Sequence, residues 1–252
     1  AWPPADGPGP GLQPGIPASL RPAELPTGVA AAAVGCDGAA PKHCVRVLRS
    51  MVDLAMALPL LLTEPVAALD LEGDLTPGPS CAIDLLQAYL PNADVVLLVH
   101  LASLPRTAAA SLLAPWLGSR AHTKVLCDLR ADADALMHVF GIRLHGVLDV
   151  QICHAVAIGE LELGAAPLDP EATNPFFFPT GLSKLAATYC TAALSEPIAL
   201  LKAEFGSRFD AKQAPFRTLP LSSSAVSYAA ADVWHTWHVH EVKAATPPPP
   251  PP

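Results

Sequence analysis

The stretch Val66-Ala67-Ala68-Leu69-Asp70-Leu71-Glu72-Gly73-Asp74 decides how this chain is read. An apolar run that closes on acid, apolar, acid is the pattern of a buried strand carrying carboxylates at its end. Residues i and i+2 of a strand point to the same side, so Asp70 and Glu72 share a face. Two neighbouring carboxylates repel unless a cation lies between them, and oxygen ligands suit a hard divalent ion such as Mg²⁺ or Mn²⁺. Taken alone, the same letters also describe a solvated turn, so partners further along the chain must decide.

Composition narrows the field. The 252 residues are 51% hydrophobic, enough for one sizeable core, while only 15% are charged and the net charge is −8. Phosphate binding usually relies on clustered Lys and Arg, so the overall balance is not that of a general nucleic-acid binder. A metal-centred site, however, concentrates carboxylates and regains positive charge from its ions. The six cysteines, at 36, 44, 81, 127, 153 and 190, form no CxxC or CxxH pair and read as reduced packing residues. The longest apolar run, Met51 to Leu62, is interrupted by Asp53 and Pro59 and is too short for a membrane span.

Residues 1–42 are rich in Pro, Gly and Ala and read as an extended or disordered arm, and 243–252 as a polyproline tail. Between them, 43–242 form the folded domain. Apolar spacing predicts a helix over Val45–Leu58, ended by Pro59, and then strands at Val66–Leu71, Cys81–Tyr89 and Val95–Leu101 as an antiparallel meander. A helix over Thr107–Leu117, a strand at Lys124–Cys127 and a helix over Ala131–Phe140 closed by Gly141 follow. Val147–Val150 leads from strand into a helix reaching Ile158. After a loop at 159–180 containing Phe176-Phe177-Phe178, helices are predicted at Leu182–Leu194, Pro197–Phe205 and Ser223–Val242, the last capped by Ser222.

Two later segments supply the missing partners. Asp128-Leu129-Arg130-Ala131-Asp132-Ala133-Asp134 opens a helix directly after a short strand, where acids also favour the helix dipole. Tyr228-Ala229-Ala230-Ala231-Asp232 places Tyr and Asp one helical turn apart on one face.

In this order the three segments resemble the DEDD superfamily of 3′-5′ exonucleases, in the tyrosine-containing branch of ribonuclease D and the Werner-type exonuclease domain. Asp70 and Glu72 match its first motif. Asp132, with Leu136, Phe140 and Gly141, matches the second, and Tyr228 with Asp232 the third. Lys124–Arg130, Phe140–Gln151, Gly181–Leu185 and Pro220-Leu221 resemble the eukaryotic 3′-5′ exonuclease domain-containing subgroup. Cys127 stands where many relatives have His, and Leu219 where Arg usually precedes Pro-Leu.

The resemblance implies an α/β, ribonuclease H-like exonuclease fold: a mixed β-sheet flanked by α-helices. It implies two divalent metal ions, Mg²⁺ or Mn²⁺, about 3.5–4 Å apart and clamping a scissile phosphate. Asp70, Glu72, Asp132 and Asp232 would be the metal ligands, and Tyr228 would orient the attacking water. The expected activity is 3′-to-5′ hydrolysis of single-stranded nucleic acid, RNA ahead of DNA, to nucleoside monophosphates. Lys202, Arg208, Lys212 and Arg217 are the candidate phosphate contacts, as the densest basic stretch in the second half of the chain. His235, His238 and His240 lack a fourth metal ligand and read as a solvated helix face, and Asp149 as a structural residue.

A reading from another class is a non-catalytic RNA-binding or architectural subunit of a large ribonucleoprotein such as an organellar ribosome, meeting its partners through the arm and the Phe176–Phe178 loop. A protein-binding adaptor is the third. The expected location is intracellular: mitochondrion or chloroplast, or else cytoplasm or nucleus.

Overall fold

The computed structural model describes residues 44–159, 180–192, 195, 200–203, 205 and 214–245. The arm, the Phe176–Phe178 loop, Arg208, Lys212 and the tail beyond Ala245 lie outside the described residues. Six strands form one mixed sheet: β1 (Cys44–Leu48), β2 (Val66–Asp74), β3 (Ala82–Leu90), β4 (Val95–Val99), β5 (Thr123–Leu126) and β6 (Val147–Asp149), in the order β1-β4-β3-β2-β5-β6. β2, β3 and β4 make the expected antiparallel meander, and β5 and β6 extend it in parallel from β2.

The first predicted helix is corrected by the structure. Val45 and Leu48 belong to β1, which pairs in parallel with β4 at the sheet's edge. The helix α1 begins only at Met51 and runs to Thr63, past Pro59. Two segments of different period happened to continue one apolar spacing. A capping box marks the boundary: Asp53 N donates to Ser50 Oγ at 3.1 Å, and Ser50 N donates to Asp53 Oδ2 at 3.0 Å. Burial of Leu61 against the sheet holds the last turn together despite the proline.

One sheet face is covered by α1, α2 (Arg106–Leu117) and α3 (Leu129–Phe140). Leu54, Leu61, Leu113, Trp116 and Leu136 pack there on Leu69, Leu71, Leu86 and Leu97. The opposite face carries Val45, Ala68, Leu85, Tyr89, Val96 and Leu98 and is covered by α6 (Ser223–Ala245) through Ala225, Ala229, Val233 and Trp234. α4 (Val150–Ala157) and α5 (Leu182–Tyr189) close the β5 end with Val239 of α6. Ser222 caps α6 as expected, its Oγ accepting from Ala225 N at 3.1 Å, and the helix continues three residues beyond the predicted Val242. Among the described residues no helix is long and apolar enough to cross a membrane.

Candidate functional site

β2 carries Asp70 and Glu72 on the α6 side of the sheet, two and four residues beyond Ala68. Asp70 lies opposite Gln87 of β3, and Glu72 opposite Leu85. Directly after Glu72 the register shifts at a bulge. Gly73 there has φ +153°, and a Cβ would fall 2.2 Å from the Ala82 carbonyl oxygen, so the neighbouring backbone approaches closely only because this residue is glycine.

Helix α6 lays Asp232 and Tyr228 over this strand. One carboxylate oxygen from each of Asp70, Glu72 and Asp232 lies within 4.8 Å of the others. Asp232 is buried, and Lys202 Nζ approaches its Oδ1 to 2.9 Å. The same ammonium stands 5.3 Å from the centre of the Tyr228 ring, which stacks on Phe205 with centroids 4.2 Å apart.

Asp132 enters from the first turn of α3 and is also buried; its Oδ1 has no hydrogen-bond partner among the described residues. The start of α3 is fixed by a residue far away in sequence. Asp149 accepts from Asp128 N at 3.3 Å, Leu129 N at 3.0 Å and Gln151 N at 2.8 Å, tying the entrances of α3 and α4 together. Of the acids at 128–134, Asp128 does not cap the helix; it pairs with the exposed Arg130. Gly141 closes α3 in the left-handed conformation, φ +67°, as its position predicts.

Electrostatically the cluster is loaded. Burial, reinforced by Asp132, Asp232 and Glu72, raises the Asp70 carboxyl well above its ordinary range. Burial and Asp232 push Glu72 up to about 8, and burial pushes Asp132 up to about 7. Tyr228 is raised in the same way, first by burial and then by Asp232, so its hydroxyl keeps its proton at physiological pH. Burial opposes the charge on Lys202, but Asp232, Asp70 and Glu72 outweigh it and raise its pKa. Such a set favours a positive charge and holds a surplus of oxygen donors around it.

The other candidates separate. Arg217 is half exposed and its Nε donates to Oδ1 of buried Asp84 on β3 at 3.1 Å, so it is anchored there rather than on the carboxylate cluster. His235 departs from the solvated face expected of it: it is buried, with Nδ1 2.6 Å from the Ala231 carbonyl, because α6 buries much more of its circumference than its spacing suggests. His238 pairs with Glu241 at 3.0 Å. Two features escape sequence reasoning. Lys202 is expected there as one of four phosphate contacts in a basic stretch, and its seat on a motif carboxylate is what the sequence leaves unseen. Gln87 reads as a strand residue; its only signal is one uncharged polar residue in the run Ile83–Leu90.

Comparisons with known proteins bear on this arrangement. No curated protein matches the chain by sequence. By structure it resembles Trypanosoma brucei RNase D in its GMP complex, with TM-score 0.63 and 20% identity over 80% of this chain and 57% of that one. The same protein in complex with RNA U12 gives 0.61 and 21%, over 80% and 63%. The EXO domain of Aedes aegypti Nibbler gives 0.55 and 14%, over 80% and 87%. The chain thus spans less than two thirds of the length of RNase D, and the likeness establishes an α/β, ribonuclease H-like exonuclease fold. The family model for the 3′-5′ exonuclease matches residues 50–242, from the cap of α1 through the acidic segments on β2 and α3 and into the last turn of the helix that carries Tyr228 and Asp232. The chain belongs to the 3′-5′ exonuclease family.

Proposed function

We propose that this chain hydrolyses RNA from its 3′ end, releasing nucleoside monophosphates with the help of two divalent metal ions. The observation that carries the reading is the convergence of Asp70, Glu72 and Asp232 to within 4.8 Å, with Asp132 buried nearby and lacking a hydrogen-bond partner on Oδ1. The donor set fits the ions: all four ligands are carboxylates, and a buried orphan oxygen is costly unless something cationic meets it. Asp70, Glu72 and Asp232 would hold one ion, and Asp132 with Asp70 the other. When bound, the ions supply Lewis-acid stabilisation of the charge that builds on the phosphate and make the attacking water more acidic.

The chain's own residues do the rest. Tyr228 keeps its proton, so it serves as a hydrogen-bonding group that orients water rather than as a base. Its ring is held by Phe205, which fixes the hydroxyl relative to Asp232. Lys202 is a cation at the cluster, and the half-exposed Arg217, anchored on Asp84, is a second candidate for the nonbridging oxygens of the substrate. RNA is preferred as substrate because RNase D, one of the structural neighbours, is described in complex with RNA U12.

The test uses single-stranded RNA carrying a 5′ label, with Mg²⁺ or Mn²⁺, comparing the native protein with Asp70→Asn. A ladder that shortens from the 3′ end with the native chain and not with the variant supports the reading. Equal inertness of both proteins, with RNA binding retained, would replace it with the non-catalytic RNA-binding subunit.

A further inference from the structure

Gln87 sits at the centre of β3, opposite Asp70 on β2 and Leu98 on β4, on the face that α6 covers. It is fully buried, and neither Nε2 nor Oε1 has a hydrogen-bond partner among the described residues. An unpartnered buried amide is costly, and the residues of the same sheet face beside it, Leu85 two positions earlier on β3 and Leu98 across on β4, are apolar. The fold therefore holds a polar group where packing alone would not.

Glu72 is the diagonal neighbour of Gln87 across the β2–β3 ladder, since Glu72 faces Leu85 and Asp70 faces Gln87. Long side chains span that diagonal.

We propose that Gln87 is a positioning residue: its Nε2 donates to the Glu72 carboxylate once that group turns to hold a divalent ion, fixing the carboxylate's orientation from behind. The inference rests on the metal-binding reading of the cluster. A residue of merely structural role differs in its effect on the ion, because replacing an unsatisfied amide by an apolar group of the same shape is neutral or stabilising and leaves metal binding alone.

The experiment titrates Mn²⁺ into the full chain and follows the free ion by electron paramagnetic resonance, for the native protein, Gln87→Met and the packing control Leu85→Met. The expected result is an unchanged or higher Tm for Gln87→Met with metal affinity weakened about tenfold or more, and native affinity for Leu85→Met. Native affinity in Gln87→Met overturns the proposal while leaving the metal site standing. A native protein that takes up no Mn²⁺ overturns the metal-binding reading and, with it, this inference. If Gln87→Met does not fold, the native protein decides by NMR: the Gln87 side-chain NH₂ resonances shift on adding Mg²⁺, and unmoved resonances refute the proposal.

Discussion

Removing one negative charge from the cluster should make the metal-free protein less sensitive to alkali, and Glu72→Gln is the most direct way to see it. The Glu72 carboxyl is pushed from 4.5 to about 8 by burial and by Asp232. Between those values the unfolded chain has released this proton while the folded chain retains it. Raising the pH therefore destabilises the native state until about pH 8 and then levels off. At roughly 1.4 kcal/mol per pKa unit, Glu72 alone lowers stability by on the order of 2–3 kcal/mol between pH 6 and pH 9. For a body of this size that corresponds to a Tm lower by about 5–10 °C. Asp132, raised to about 7, acts in the same direction with a smaller effect over the same window. The assay is denaturant unfolding in EDTA at pH 6, 7.5 and 9. Glu72→Gln should reduce the slope, leaving the part carried by Asp70 and Asp132, and excess Mg²⁺ should remove it from the native protein. Metal-free native protein that is as stable at pH 9 as at pH 6, or a Glu72→Gln variant with the native slope, would refute the electrostatic account.

Three further outcomes follow from particular contacts. Tyr228→Phe should keep Mn²⁺ binding and Tm while lowering kcat about 10²-fold, the usual cost of misplacing a reacting group, as measured on short RNA under saturating conditions. Asp149→Ala should cost about 2 kcal/mol, because three backbone N–H donors at the starts of α3 and α4 lose their acceptor, and should also weaken Mn²⁺ binding by loosening Asp132. Lys124→Met should cost about 3 kcal/mol in chemical denaturation, since the buried ammonium donates to the carbonyls of Trp116, Ser119 and His122 at 3.1, 2.8 and 2.7 Å.

What the sequence revealed was what local chemistry decides. Asp70 and Glu72 ride on one strand, Tyr228 and Asp232 on one helix, and Asp132 starts a helix with a glycine stop, so period and spacing made each segment readable. The edge strand β1 was hidden because Val45 and Leu48 carry a helix-like interval that only pairing with β4 overrides. The capping box at Ser50–Asp53 was in plain text and would have divided strand from helix there. Lys202 was legible as a candidate phosphate contact but not as the partner of Asp232, and Gln87 not at all, since their meaning lies in who stands opposite: Asp232 across a helix packing and Asp70 across a β-ladder. His235 misled for the same reason, as burial on α6 depends on sheet, α4 and α5 together.

The order in which the parts of the cluster leave the ribosome has a consequence of its own. Asp70 and Glu72 emerge early on β2, Asp132 later on α3, and Asp232 only with α6, the last described helix. Until that helix docks, a nascent chain lacks Asp232 and Tyr228 and leaves Val45, Leu85, Val96 and Leu98 bare on one sheet face. Completion of the acidic cluster is thus withheld from a polypeptide still tethered to its own message. A fragment released before Ser223 would be both inert and sticky, the kind of product that quality control removes.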